Sequence, residues 1–209
     1  MTTHGRSYAN SLQWNSETGY GYLPVDELGL PEPYDEKYFD KYAQYAGTRL
    51  GVDITTERIN FVDKFYAEEL VDIGVGCGQF VRKRNSLEKI TLGEDVNPAG
   101  IKWLTDNGFL NRRTILRAAS YWDSLEHIKD AKGHIRRVQE WVFVTIPIFR
   151  NHDHVLKSKH FRPDEHYHYF THGGFTAWMW NLGFRLKGQS DFEIKLGRED
   201  VQTYAFKRS

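Results

Sequence analysis

The sequence predicts an α/β fold in which a doubly wound sheet, built mainly from parallel strands, is covered by helices on both faces. A short apolar run ends in Asp72, and glycine then follows at every second position, in Gly74, Gly76 and Gly78. Glycine accepts positive φ and lets a ligand approach the backbone, so this pattern is typical of a buried strand that turns sharply into a helix. A second strand ends at Asp95, at the distance from Asp72 that an intervening helix requires. The apolar run 141–146 indicates a further buried parallel strand.

The glycine spacing separates two classes of nucleotide-binding turn. A dinucleotide-binding turn follows the order G-x-G-x-x-G, whereas here every second residue is glycine and Asp72 lies ahead of the turn. The segment resembles motif I of the class I S-adenosylmethionine-dependent methyltransferases, and Gly93-Glu94-Asp95-Val96-Asn97 is similar to their second motif. The resemblance covers roughly residues 55–207 and implies a Rossmann-like sheet of six to seven strands with an antiparallel C-terminal strand. The alternative is an ordinary β-α-β unit with a tight turn.

The resemblance implies S-adenosylmethionine (SAM) as the cofactor and assigns roles to the residues that match the motifs. The three glycines would hold the methionine end, and Asp72 would order the turn. Asp95 would bind the ribose hydroxyls, as an acidic residue at this strand end does in nucleoside-binding α/β folds. Val96 would flank the adenine, while Tyr121 and Trp122 would line the methyl side.

The sequence departs from the family pattern between Gly108 and Thr114. The family has a full third strand here, which carries a polar residue for the adenine amino group, and a helix after it. Too few residues are present for both elements. We therefore expect the third strand to be shortened or missing, which puts the adenine contact in doubt.

The segment that follows the predicted fourth strand carries the candidate catalytic residues Asp123, Glu126 and His127. Because the carboxyl ends of parallel strands meet at one edge, these residues should lie near the glycine turn. Methyl transfer is an in-line displacement, and a hydroxyl acceptor must also lose its proton, so His127 with Glu126 beside it is a candidate base. The equal alternative is a structural role for His127 at the start of a helix.

The spacing of Asp123, Glu126 and His127 also suits metal ligands, and a further histidine could complete a hard-cation site. Similar segments bind a divalent ion in some small-RNA 2′-O-methyltransferases and ubiquinone-pathway O-methyltransferases. Many relatives with the same motif use no metal, so a divalent metal is the less favoured reading and the metal ligands stay unassigned.

Six of the nine histidines fall between His152 and His172. The part from Ser158 to Phe170 resembles the segment after the fifth strand in the small-molecule branch of the family, which shapes the acceptor pocket. The candidate substrate-binding residues are His152, His154, His160, Arg162 and His166. Lysine and arginine in the same segment favour an anionic substrate. The alternative is a surface loop whose histidines satisfy backbone groups.

The ends of the chain and its composition limit the remaining possibilities. Residues 1–33 predict an irregular N-terminal arm, and 34–209 a single methyltransferase-like domain. Aromatic residues at helical spacing between Tyr34 and Gly47 predict a helix that packs in the core or, as in the family, covers the cofactor. Basic and acidic residues both total 28, so a nucleic-acid partner is not expected. One cysteine and no membrane-length apolar stretch predict a cytoplasmic protein without membrane contact.

Together these patterns predict methyl transfer from SAM to a small polar acceptor, with oxygen as the favoured atom. DNA amino-methylases of this class carry an Asp/Asn-Pro-Pro-aromatic turn after the fourth strand, and the sequence from Asp123 to Glu126 lacks it. Two alternatives stay open: a nucleoside-binding accessory protein without turnover, and a methylase of RNA or protein. The acceptor and the oligomeric state are not predicted.

Overall fold

The computed structural model describes residues 8–28 and 36–209. Its strands are β1 Gln13–Asn15, β2 Tyr20–Tyr22, β3 Leu70–Ile73, β4 Thr91–Glu94, β5 Leu116–Trp122, β6 Val138–Phe149, β7 His168–Thr171, β8 Phe184–Ser190 and β9 Val201–Arg208. Its helices are α1 Glu36–Ala46, α2 Arg49–Asp63, α3 Gln79–Asn85, α4 Pro98–Asp106, α5 Ala131–Arg136, α6 His152–Lys157, α7 His172–Asn181 and α8 Phe192–Lys195.

The main sheet has the predicted architecture. Its strand order is β4-β3-β5-β6-β9-β8, in which β4, β3, β5 and β6 are parallel. The C-terminal strand β9 runs antiparallel between β6 and β8. The prediction of a doubly wound sheet with an antiparallel C-terminal strand is therefore confirmed, with six strands in this part of the sheet.

Successive side chains of the central strands point to opposite faces and build two separate cores. On β5, Ala119 and Tyr121 pack on the face covered by α5 and α7. Ala118 and Trp122 pack on the other face, against α2, α3 and α8. A strand that is buried on both faces consists of a continuous run of apolar residues, which explains why the run 141–146 predicted a parallel strand.

The third strand of the predicted sheet is reduced to a single bridge. Gly93 of β4 pairs in parallel with Leu110, through Gly93 N–H to Phe109 O and Asn111 N–H to Gly93 O, both at 2.8 Å. The chain then turns back at once, and Arg113 forms an ion pair with Glu69 before the start of β3. The expected shortening is confirmed.

The N-terminal arm is not irregular over residues 8–28, which corrects the prediction. β1 and β2 form a hairpin, and β2 pairs with β7, which itself pairs in parallel with the end of β6. Leu12 and Leu23 are buried against Phe149 and Tyr169, so apolar contacts hold a stretch that looked polar overall. The expected boundary at residue 33, and Tyr34 in the predicted aromatic helix, lie outside the described residues.

Pro147 does not end β6, which extends beyond the apolar run 141–146 that predicted it. The strand continues to Phe149, because Ile148 N–H donates to Asp200 O of the β9 side at 2.8 Å. The nitrogen of Pro147 therefore faces the β5 side of the strand. Since β5 ends at Trp122, the missing N–H of Pro147 lies beyond the end of that strand. The following histidine-rich segment, expected to be a loop, contains α6 and β7.

The helix after β4 begins as the sequence predicts. Asn97 is the N-cap, and its side-chain oxygen accepts a hydrogen bond from Ala99 N–H at 2.9 Å, while Pro98 occupies the first helical position. No helix in the described ranges is both long and apolar enough to cross a membrane.

Candidate cofactor and active site

The glycine turn after β3 requires glycine for conformational reasons at all three positions. Gly74, Gly76 and Gly78 have φ of +77°, +55° and +75°, a region that side-chain-bearing residues rarely adopt. A Cβ on Gly74 would lie 2.7 Å from Ser124 Cβ, and one on Gly78 would lie 2.2 Å from the Trp103 ring. A Cβ on Gly76 would have no described atom within 4 Å. The turn is thus packed at both ends and open over Gly76.

Asp72 lies beneath this turn and joins two strands. Its side chain is 2% exposed and accepts a hydrogen bond from Ser120 Oγ of β5 at 2.7 Å. Burial raises the pKa of this carboxyl to about 7, because desolvation disfavours the charged form. The hydrogen bond of Asp72 thus joins β3 to β5, and its partner, Ser120, is neutral.

Asp95 lies between the end of β4 and the glycine turn. Asn97 N–H donates to Asp95 Oδ1 at 2.7 Å. Burial raises the pKa of Asp95, while hydrogen bonds from backbone N–H groups, those of Val75 and Gly76 among them, lower it. The Asp95 carboxylate thus contacts the glycine turn. The next residue, Val96, is 76% exposed.

The side chains of Tyr121 and Trp122 lie in the core, on opposite faces of the sheet. Tyr121 is fully buried, and Trp122 is 6% exposed and packs edge-on against Phe80. Both residues are thus buried, and their assignment to the methyl side stays a prediction.

Asp123 is held by two arginines. Its Oδ2 accepts a hydrogen bond from Arg58 at 2.6 Å and from Arg198 at 2.8 Å. The fully buried Glu193 binds the same two arginines, with 2.7 Å between Arg58 Nε and Glu193 Oε1. Burial alone would raise the pKa of Asp123, but Arg198 and Arg58 hold it well below its usual range. We call this four-residue group the arginine–carboxylate network.

Glu126 and His127 lie on a single 3-10 turn, Leu125–His127, rather than on a longer helix. His166 approaches them because Tyr167 N–H donates to Glu126 O at 2.8 Å. One donor atom from each of the three side chains lies within 4.8 Å of the others. The two imidazole rings meet edge to face, with 4.5 Å between their centroids. We call these three residues the Glu–His–His cluster.

The Glu–His–His cluster is buried, and its carboxyl group has a vacant acceptor. Glu126 is 1% exposed, and its Oε2 has no hydrogen-bond partner among the described residues. Burial, and then the charge of Asp123, raise the pKa of Glu126 well above its usual value. Burial lowers the pKa of His127 to about 4 and lowers that of His166 as well. Burial therefore favours the neutral form of all three groups when no cation is present.

A second carboxylate lies behind His127. Glu165 is 5% exposed, and its Oε2 lies 3.8 Å from His127 Nδ1. The other oxygen of Glu165 is bound by Arg162. Burial raises the pKa of Glu165. Arg162, which the sequence placed among the substrate-binding residues, therefore reaches this region through Glu165.

The remaining candidate histidines do not join the cluster. His154 Nε2 lies 3.2 Å from Asp200 Oδ2, and His160 Nε2 lies 2.9 Å from Glu199 O, at the start of β9. His152 packs near the Trp14 ring, at 6.1 Å between centroids. Of the five predicted substrate-binding residues, His166 alone contacts the candidate catalytic residues directly, and the roles of the others stay predictions.

The fold is similar to solved methyltransferase structures at low sequence identity. The magnesium protoporphyrin IX methyltransferase from Synechocystis PCC 6803, solved with bound SAH, gives a TM-score of 0.60 at 11% identity, covering 84% of this chain and 96% of that one. The 1,6-didemethyltoxoflavin-N1-methyltransferase from Burkholderia thailandensis gives 0.58 at 8% identity, covering 95% and 99%. No protein-family model and no curated protein matches the sequence. The chain has the class I methyltransferase fold.

The class I methyltransferase fold does not by itself fix the reaction. The cyclase SpnF shares it, with a TM-score of 0.54 at 12% identity, covering 75% of this chain and 80% of that one. The reaction must therefore be argued from the side chains at the carboxyl edge of the sheet.

Several of these side chains were missed by sequence reasoning. Arg198 and Glu193 belong to the connection between β8 and β9, far along the chain from Asp123, and no local pattern marks them. Arg58 lies on α2, and nothing in the sequence pairs it with Asp123 or Glu193. Glu165 lies inside the segment 158–170, but the sequence pattern pointed to the histidines around it.

Proposed function

We propose that the protein binds SAM and transfers its methyl group to a small polar acceptor, with oxygen as the favoured atom. The observation that carries the proposal is the glycine turn: three left-handed glycines, an open side over Gly76, and the Asp95 carboxylate against the turn. Backbone without side chains suits the methionine end, and a carboxylate at the second strand end suits a ribose diol.

The candidate catalytic residues lie beside this turn. Ser124 Oγ donates to Ile73 O at 2.5 Å, and Ser124 packs against Gly74. The chain from Asp123 to His127 is thereby fixed next to the position that the sulfonium would occupy. Bringing a nucleophile into line with the methyl group is the main task in this reaction.

A small acceptor is supported by the charge balance and by the neighbours in the fold. The formal net charge is zero, so no general attraction to nucleic acid is expected. The structurally similar enzymes named above act, by their names, on a magnesium porphyrin and on a didemethyltoxoflavin. Their variety leaves the acceptor of this protein open.

We also propose that the Glu–His–His cluster holds a divalent metal ion. A buried carboxyl oxygen without a partner and two buried imidazoles form a donor set that suits first-row divalent ions. Asp123, the third ligand suggested by the sequence spacing, is occupied by two arginines, and His166 takes its place. When bound, such an ion orients an acceptor oxygen and lowers the pKa of its hydroxyl. Without the ion, His127 is the candidate base.

The deciding experiment is a calorimetric titration with SAM and with SAH, its demethylated product, repeated with Mg²⁺ or Mn²⁺. We expect micromolar binding of both ligands and at least tenfold weaker binding in Asp95→Ala, because the ribose contact is lost. No binding of either ligand would overturn the cofactor assignment. Binding that persists undiminished in Asp95→Ala would remove the ribose role alone.

A metal titration without cofactor tests the cluster separately. Mn²⁺ should bind with one site per chain, and His166→Ala should weaken it. If Mn²⁺ does not bind, His127 remains as the candidate base and the metal proposal is wrong. If SAM binds but no acceptor in a panel of hydroxylated small molecules is methylated, an accessory nucleoside-binding role is favoured.

A further inference from the structure

The outer edge of β4 is where the base of a bound nucleoside would lie, on the assumption of the proposed function. With the methionine end over Gly76 and the ribose hydroxyls on Asp95, the base extends from the ribose away from the glycine turn. Since β3 lies on the turn side of β4, that direction leads past the outer edge of β4. The residue at this place is Val96, whose 76% exposure leaves an apolar surface for one face of the base.

In the part of the chain that the structure describes, little protein covers this edge. The third strand is a single bridge at Leu110, and no helix lies between that bridge and β5. The chain then returns directly to the start of β5, and Arg137 Nε donates to Thr114 O at 2.9 Å. A strand and helix that would face the base edge are therefore replaced by a short return.

The one polar side chain of this return that is buried near β4 is already committed. Asn111 is 7% exposed, and its amide nitrogen donates to Glu94 Oε1 at 2.6 Å and to Arg113 O at 2.9 Å. Arg137 completes this arrangement by its ion pair with Glu94 at 2.5 Å. Asn111 thus binds its own strand and the return, and its donors are not directed to a ligand.

We propose that the protein leaves the 6-amino edge of the adenine ring exposed to solvent and therefore accepts cofactor analogues altered at that position. The class includes SAH with a bulky N6 substituent and SAH in which hypoxanthine replaces adenine. A site that hydrogen-bonds a ligand group rejects the analogue lacking it by roughly 10⁴-fold, whereas a site without that contact discriminates little. The proposal rests on SAM binding as proposed above.

The test is a calorimetric comparison of three ligands on the full-length protein: SAH, N6-benzyl-SAH and S-inosylhomocysteine. We expect dissociation constants within about tenfold of one another, the size of one modest interaction. A loss of roughly 100-fold or more for either analogue, on the same energy scale, would overturn the proposal. Absence of SAH binding would instead mean failure of the proposed function, so the two failures are distinguishable.

A matched variant shows that all three ligands occupy the same site. Asp95→Asn should weaken the three ligands by the same factor, because the ribose is common to them. If the variant weakens SAH but not the benzyl analogue, the analogue binds elsewhere and the open-edge proposal is wrong.

Discussion

Asp123 and Glu126 lie three residues apart at the same strand end, yet they are treated in opposite ways by the fold. Asp123 receives two charged hydrogen bonds, which lower its pKa and keep it ionised. Glu126 is buried, its Oε2 accepts no hydrogen bond from the described residues, and its pKa is raised. The neighbouring charge of Asp123 strengthens that rise, because two like charges at close range disfavour ionisation of the second.

If the Glu–His–His cluster holds a metal ion as proposed above, the difference separates a structural acid from a functional one. A carboxylate whose oxygen is bound by two arginines is satisfied and has little to offer a ligand. A buried carboxyl with a vacant oxygen beside two neutral imidazoles is unsatisfied until a cation or an acceptor arrives. The sequence pattern predicts the same candidate role for both residues, and only their partners in the fold distinguish them.

The largest expected effect comes from breaking the arginine–carboxylate network. Arg58→Met removes the guanidinium that binds both Asp123 and the fully buried Glu193. We expect a loss of about 3 kcal/mol in the free energy of unfolding, because a buried charge loses one of its partners. Urea unfolding followed by circular dichroism measures it.

The control for this prediction is Lys129→Ala, which breaks the exposed pair with Asp26. Exposed pairs contribute little, so the unfolding midpoint should not change measurably. Equal effects in the two variants would show that the network is no more important than a surface ion pair.

Asp72 extends the comparison to an acid whose hydrogen-bond partner, Ser120, is neutral. Its pKa of about 7 in the folded protein lies above the ordinary 3.8, so the folded state holds the proton more tightly than the unfolded state. Its contribution to stability is therefore full below pH 4 and is lost as pH rises through 7. As pH rises from 4 to 7, the free energy of unfolding of Asp72→Asn should increase relative to that of the wild type by about 1 kcal/mol per pH unit. Parallel stability curves for the two proteins from pH 4 to 7 would contradict the raised pKa.

The predictable part of the molecule is the part whose causes are local. Two such features are the positive φ at Gly74, Gly76 and Gly78 and the capping of α4 by Asn97. Each depends on a few adjacent residues, so it can be predicted from the sequence. The shortened third strand followed from a count of residues. Each of these features is set within one turn or one strand.

The parts that escaped prediction depend on partners distant in the chain. The hairpin of β1 and β2 is stabilised by β7, nearly 150 residues later, in the pair Tyr20 and Phe170. Arg198 reaches Asp123 only because β9 inserts between β6 and β8. The sequence could place Asp123 at a strand end, but it could not show that two arginines bind its carboxylate or that His166 lies beside Glu126.

The smallest expected effect in energy separates the two acids most directly. Glu126→Gln keeps the shape of the side chain but removes the charge available to a cation, so Mn²⁺ should bind at least about tenfold more weakly. Its stability should stay near that of the wild type, because burial already favours the neutral form of the Glu126 carboxyl without the ion. Asp123→Asn should do the reverse: it lowers stability by weakening the network and leaves Mn²⁺ affinity within about twofold, a few tenths of a kcal/mol. Manganese titration and urea unfolding on both variants measure the two properties. If Asp123→Asn abolishes Mn²⁺ binding while Glu126→Gln does not, the assignment of structural and functional acid must be exchanged.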